Sequence, residues 1–181
     1  MNRYCLIISG PAGSGKTTIA SKMWRTFEDN PAYICLDTLK HLVGNAISTD
    51  HYLDLARENG ISMTKNFLKY GHNAIIEKAF GNYDFVEPFI NIAKEFNVPS
   101  YYFKLDASLE TLLKRNRCRK KLSAEELIRR GEWLEYSSPD EKIIQIYDFF
   151  KKHEHSEGIE INSESNSVDD IIKIIRKHIN I

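Results

Sequence analysis

The stretch Cys5-Leu6-Ile7-Ile8-Ser9-Gly10-Pro11-Ala12-Gly13-Ser14-Gly15-Lys16-Thr17-Thr18 decides the reading of this chain. It runs from an unbroken apolar segment into a glycine-rich turn, then into a segment with helical spacing. Within it, Gly10–Thr17 fits G-x-x-x-x-G-K-[ST], and the chemistry of phosphate binding requires each part. Glycines let the backbone curl so that successive N–H groups point at phosphate oxygens, where a side chain would block the approach. The helix that follows offers its unsatisfied N–H groups and positive dipole end to the same anion. Lys16 is placed to neutralise β- and γ-phosphates and Thr17 to ligate Mg²⁺. Gly10, Ala12, Gly13, Ser14, Gly15, Lys16, Thr17 and Thr18 are therefore the expected nucleotide contacts. By average composition the pattern arises by chance in roughly one chain of this length in a hundred or two. The strand before it and the helix after it lower that figure further; the competing reading is a plain glycine-rich turn.

Outward from this loop, strand and helix signals alternate. Cys5–Ser9, Ala32–Leu36, Ala74–Glu77, Tyr101–Leu105 and Gly158–Ile161 are short apolar or β-branched runs, as strands buried on both faces are. Helical spacing fills Lys16–Phe27, Phe85–Phe96, Ser108–Arg117 and Val168–Ile179. Ser123 with Glu126 predicts a capping box, and Ser138-Pro139-Asp140-Glu141 predicts a serine cap with proline at the first helical position. The alternation implies an α/β fold, a parallel sheet covered by helices on both faces. No internal repeat is present, and the polar tract 151–158 is too short to separate domains, so one domain spanning 1–181 is expected.

Composition excludes several classes. The 181 residues carry 25 Lys+Arg against 25 Asp+Glu, which weakens a picture of a protein wrapped in nucleic acid. Apolar runs of about five residues are far from the roughly 20 that a membrane-spanning helix needs. Cys5, Cys35 and Cys118 show no metal-ligand spacing, which suits reduced thiols in a cytoplasmic chain.

The remaining candidates flank the phosphate loop. Asp37 follows the second strand, where a carboxylate faces the ligand crevice of a parallel sheet. It is either a general base for an attacking hydroxyl or a cap for the next helix. Lys114–Lys121 places six basic residues in eight. This run is a lid whose arginines stabilise a transferring phosphoryl group, a solvated helix end, or, with Arg129 and Arg130, a phosphate-tracking patch. Glu77 holds a Mg²⁺-bound water or simply ends the third strand. His153 and His155 read as surface histidines. His41, His51, Tyr52 and Asp54 lie in the 39–70 insertion, where an acceptor has room to bind. No N/T-K-x-D motif for guanine occurs, and the third strand lacks the Asp-Glu ending of motor-type and AAA-type ATPases.

These residues resemble a group of small P-loop kinases that includes the kinase domain of phage polynucleotide kinase, chloramphenicol phosphotransferase and zeta-toxin-like kinases. The resemblance runs from Cys5 to about Tyr136. It rests on Gly10–Thr17, on Asp37-Thr38-Leu39-Lys40 and on Arg115-Asn116-Arg117-Cys118-Arg119. It implies Asp37 as general base, Arg119 as the transition-state arginine, Arg115 as a lid residue near the nucleotide, and a lid over about 115–136. Two positions depart from the pattern: Lys40 where arginine is usual, and Glu77 where aspartate is usual.

The expectation is a P-loop NTPase three-layer sandwich with strand order 2-3-1-4-5. Lys16, Asp37 and Arg119 are its catalytic residues, Arg115 and Arg119 add to the nucleotide contacts, and Thr17 and Glu77 serve Mg²⁺. ATP is the expected phosphoryl donor, and adenine contacts are expected from the 162–167 loop. A small-molecule or nucleoside-like hydroxyl is the expected acceptor. A polynucleotide 5′-hydroxyl is the alternative, and an ATP-binding regulatory module without an acceptor is the second.

Overall fold

A computed structural model of the chain describes residues 3–42, 50–119 and 138–181. The lid expected over about 115–136 therefore lies largely outside the described residues, as do Lys120, Lys121, the Ser123–Glu126 capping box, Arg129 and Arg130.

Five strands form one sheet: β1 Cys5–Ser9, β2 Ala32–Cys35, β3 Ala74–Glu77, β4 Ser100–Asp106 and β5 Ile159–Asn162. Their order is β2-β3-β1-β4-β5 and every pairing is parallel. Around them lie α1 Lys16–Thr26, α2 Leu36–His41, α3 Asp50–Lys69, α4 Glu87–Glu95, α5 Leu109–Arg117, α6 Asp140–Lys152 and α7 Val168–Ile179. This is the fold class and strand order expected from the sequence.

The alternation along β1 shows why the apolar run folds this way. Tyr4, Leu6 and Ile8 pack on one side with Ile19 and Met23 of α1 and Ile171, Ile175 and Ile179 of α7. Cys5 and Ile7 pack on the other with Leu68 of α3 and Phe89, Ile92 and Ala93 of α4. A strand between two apolar layers cannot carry polar residues on either face, so it reads as a continuous hydrophobic run. Register then sets the site: Ile8 and Cys35 both pair with Glu77. The carboxyl ends of β1, β2 and β3 are level, and the residues after them emerge together at one edge of the sheet.

Two local expectations need correction, and one helix was not expected. Leu36 does not extend β2 but opens α2, with Cys35 as its cap. The insertion before β3 contains the 20-residue helix α3. Pro139 rather than Ser138 caps α6. The Asn116 side chain holds the Ser138 backbone from both sides, accepting from its N–H at 3.0 Å and donating to its carbonyl at 2.7 Å. That grip fixes Ser138 one step before the helix. Among the described residues, no helix is long and apolar enough to cross a membrane.

Candidate active site

The loop between β1 and α1 requires its glycines. Gly10 and Gly13 have φ of 147° and 91°. A Cβ on Gly10 would sit 2.4 Å from the Leu105 carbonyl oxygen, and one on Gly13 would sit 3.0 Å from that of Leu112. Gly15 precedes α1, and no side chain caps that helix. Its first N–H groups are thus available to an anion. Inside the loop, the Ser14 N–H donates to the Pro11 carbonyl at 3.2 Å, and the buried Ser14 Oγ has no hydrogen-bond partner. Ala12 is half-buried and Thr18 is exposed on α1.

Lys16 curls back over the loop, and its Nζ donates to the Pro11 carbonyl at 3.1 Å. Burial pushes its pKa below the usual lysine range, Glu77 and Asp37 partly offset that, and the charges of Arg119 and Lys78 add to it. These five side chains from α1, α2, the end of β3 and the end of α5 therefore share one electrostatic neighbourhood.

Glu77 is 1% exposed. It accepts hydrogen bonds from Thr17 Oγ1 at 3.2 Å and from the Tyr33 hydroxyl at 3.3 Å. Burial first, and Glu77 next, push the Tyr33 phenol far above its usual range. The Cys35 thiol is pushed up to about 12 by burial, then by Glu77 and Asp37.

Asp37 lies in the first turn of α2 rather than at its cap. A carboxylate is favoured there by the helix dipole. It pairs with the Lys78 ammonium, the two side chains being 31% and 18% exposed. Sequence reasoning passed over Lys78. The available signal was its position directly after Glu77, on the strand next to the one that delivers Asp37.

Arg115 is bound into the protein. Its Nη1 donates to the Gly13 carbonyl at 3.4 Å and to Ser163 Oγ at 3.1 Å, and its Nη2 donates to the Ser163 carbonyl at 2.6 Å. It thus ties α5 to the phosphate loop and to the loop after β5. Glu164 ties that second loop back to α5, accepting from the Ser108 N–H at 3.0 Å and from Thr111 Oγ1 at 2.7 Å. Asn162 Oδ1 shapes it by accepting from the N–H groups of Glu164 and Ser165. Arg117 points elsewhere, to Asp140. Half-buried Arg119 follows α5 on the Lys16 side.

Other candidates fall outside this cluster. His155 stacks on Tyr102 at 5.9 Å, and His153 bonds the Phe149 carbonyl at 2.9 Å. His51 packs edge-on to Tyr52, and Asp54 pairs with Arg57. The side chains of Lys40 and His41 lie outside the described residues. A cavity of about 50 Å³ opens beside Gly10 and Pro11, walled by Phe80, Tyr102, Lys104 and Tyr147 among others.

Thr17 and Glu77 also answer whether a metal fits. Both offer hard oxygen donors, which suits Mg²⁺. No cluster of three or more acidic, histidine or cysteine ligands occurs among the described residues. Mg²⁺ usually keeps several waters and draws its other ligands from substrate phosphates.

Comparison with known proteins agrees with this architecture. A family model described as an AAA domain, AAA_33, matches residues 6–133. No curated protein matches the sequence. The APS kinase of Mycobacterium tuberculosis, solved with AMPPNP and APS, is 13% identical with a TM-score of 0.67, over 99% of both chains. A sugar kinase from Janibacter is 17% identical with a TM-score of 0.62, over 100% of this chain and 96% of that one. A chain of the Pnkp1/Rnl/Hen1 RNA repair complex is 21% identical with a TM-score of 0.63. There the alignment covers 84% of this chain but only 45% of the other. At these identities the likeness is one of fold: a P-loop fold shared with small kinases.

Proposed function

This chain belongs to the AAA_33 family, and from that premise we propose that it is a kinase moving the γ-phosphoryl group of ATP to the hydroxyl of a small-molecule or nucleoside-like acceptor. The observation that carries the reading is the meeting of Lys16, Thr17, Asp37, Glu77 and Arg119 at one edge of the sheet, from four separate stretches of chain. A nucleotide-binding turn alone needs Lys16 and Thr17. It has no use for a half-buried carboxylate held beside them.

The loop amides and Lys16 grip the phosphates, and Thr17 and Glu77 would hold Mg²⁺, which would offset negative charge on the phosphates. Asp37 takes the proton of the attacking hydroxyl, a step in which a positioned base is worth about 10²–10⁴ in rate. Arg119 offsets negative charge on the equatorial oxygens as transfer proceeds. Arg115 supports the loop from behind while its Ser163 contacts set the shape of the 162–167 loop, which we assign to the adenine.

A small acceptor is favoured over a polynucleotide end because two arginines of the basic run are engaged within the protein. Arg115 is bonded to Gly13 and Ser163, and Arg117 is paired with Asp140. Neither stands as a free phosphate contact. The polynucleotide reading is supported by the Asp37–Lys40 and Arg115–Arg119 motifs and by the likeness to the RNA repair chain.

The test is transfer of labelled γ-phosphate from ATP with Mg²⁺ to 5′-hydroxyl oligonucleotides, nucleosides and hydroxylated antibiotics, comparing wild type with Asp37→Asn. The expected result is label on a small neutral acceptor, insensitive to salt and lost in the variant. Label on oligonucleotides that falls steeply with ionic strength would establish the alternative. Hydrolysis alone, equal in both proteins, would leave an ATP-binding module.

A further inference from the structure

We propose that Lys78 is a positioning residue for phosphoryl transfer: its ammonium keeps Asp37 ionised and fixes the direction in which that carboxylate faces an incoming hydroxyl. The proposal rests on Asp37 being the base.

The sheet brings the two residues together. Cys35 of β2 and Glu77 of β3 are paired in register, so Asp37, two residues on, and Lys78, one residue on, leave neighbouring strands at the same edge. Lys78 starts from a fixed main chain, since its N–H donates to the Ile8 carbonyl at 3.3 Å. Two residues later, Phe80 is clasped through both its N–H and its carbonyl by Ser9 Oγ, at 2.9 and 3.0 Å. The ammonium thus reaches Asp37 Oδ1 from a strand end pinned on both sides. Asp37, by contrast, sits on the six-residue helix α2. An anchored lysine holding a carboxylate on a short helix is an arrangement for aiming that carboxylate.

The charges point the same way. An opposite charge within about 4–6 Å lowers a carboxyl pKa by roughly 1–3 units, and burial weakens the screening that makes surface pairs nearly worthless. The groups facing this space are Lys16 from α1, Cys35 from β2, Glu77 and Lys78 from β3 and its end, and Arg119 after α5. Lys16 and Arg119 face phosphate oxygens during transfer. Lys78 donates a hydrogen bond to Asp37 Oδ1.

In the step itself the hydroxyl proton passes to the Asp37 carboxylate, and the acceptor oxygen bonds to Pγ. The bond from Pγ to the β,γ-bridging oxygen breaks, and ADP leaves. A protonated Asp37 could not take that proton, so the value of Lys78 is the fraction of enzyme with Asp37 ionised and correctly turned.

The experiment is a carboxyl ¹³C NMR titration of nucleotide-free protein, with the Asp37 signal assigned by its loss in Asp37→Asn, in wild type, Lys78→Met and Lys78→Arg. Beside it, ATP turnover with water as acceptor is followed across pH. The expected midpoint in Lys78→Met lies about one to three units above wild type. The acidic limb of turnover should move with it, KM for ATP should stay within about twofold, and Lys78→Arg should restore both. Should Lys78→Met not fold, Lys78→Gln is read in the same way. A midpoint unchanged in the folded variant overturns the proposal, because removing an ammonium that keeps Asp37 ionised must raise the midpoint. Turnover that survives Asp37→Asn sinks the base reading and the role of Lys78 with it. A flat titration with Asp37→Asn inactive sinks Lys78 alone.

Discussion

Replacing Arg115 with methionine tests how much of this site is held by a single side chain. The change keeps most of the aliphatic length and removes three hydrogen bonds, to the Gly13 carbonyl, Ser163 Oγ and the Ser163 carbonyl, at 3.4, 3.1 and 2.6 Å. Charge-assisted bonds are worth about 1.5–3 kcal/mol each when well made. Only the shortest here qualifies, and water can reach a half-buried guanidinium, so the sum is discounted to about 2–3 kcal/mol. For a chain of about 150–250 residues each kcal/mol moves Tm by roughly 2–4 °C. Arg115→Met should therefore melt about 4–12 °C below wild type. Arg117→Met is the matched control, because its pair with Asp140 lies at the surface, the arginine being 65% exposed. That variant should stay within about 2 °C of wild type. The loop after β5 also loses its tie to the phosphate loop, so ATP affinity by fluorescence titration should fall about tenfold, or roughly 1.4 kcal/mol. Equal melting and equal ATP affinity in Arg115→Met and Arg117→Met would refute the reasoning, since the two differ in what they hold rather than in chemistry.

Lys16→Met should abolish ATP binding, at least about 10²-fold in Kd, yet melt no earlier than wild type, because it removes a buried ammonium. Since burial lowers the Lys16 pKa from near 10.5, the unfolded chain binds more protons between the two values; stability rises with pH across that window, and the variant should flatten the rise. Gly10→Ala drives a Cβ to within 2.4 Å of the Leu105 carbonyl oxygen, so urea unfolding should show a loss of about 2–4 kcal/mol; a loss under about 0.5 kcal/mol would mean that the loop yields freely. Burial pushes the Cys5 thiol, like that of Cys35, up to about 12 from near 9, so the folded state keeps protons that the unfolded state releases, and their contribution to stability falls as pH climbs through that window. A thiol reagent at pH 8 should modify exposed Cys118 at once and the other two only on unfolding; two fast thiols in the native protein would contradict the placement of β1 and β2.

The fold was legible because its physics is local. A strand buried on both faces must be apolar along its length, and β1 and β3 appear in the sequence with the bounds the structure gives them. The phosphate loop was legible for a similar reason: its backbone path tolerates few residues besides glycine at Gly10 and Gly13. Elsewhere the decisive contacts join distant positions. Asn116 holds Ser138 across 22 residues, and no cap pattern encodes that bond. Helix α3 was hidden by polar residues spread along the 39–70 insertion and by Gly60, a poor helix former, which packs against Leu36. The partnership of Asp37 and Lys78 spans 41 residues. It becomes readable only when the pairing of Cys35 with Glu77 is known.

The same distance in sequence explains why the site can be tuned piece by piece. Lys16 is fixed by the loop, Glu77 by a central strand, Asp37 by a short helix, and Arg119 by the end of α5. Each arrives on a different element, so a change in one need not disturb the backbone of another. The buried Lys16 ammonium is the least favourable of these placements for folding alone, since its hydrogen bond to the Pro11 carbonyl only partly replaces water. A triphosphate supplies what that ammonium lacks, and any ligand bound by the folded state alone stabilises it, by about 2.7 kcal/mol at a hundred times Kd. On the reading proposed above, nucleotide binding completes the charge balance at the phosphate loop, beside a carboxylate already paired with Lys78.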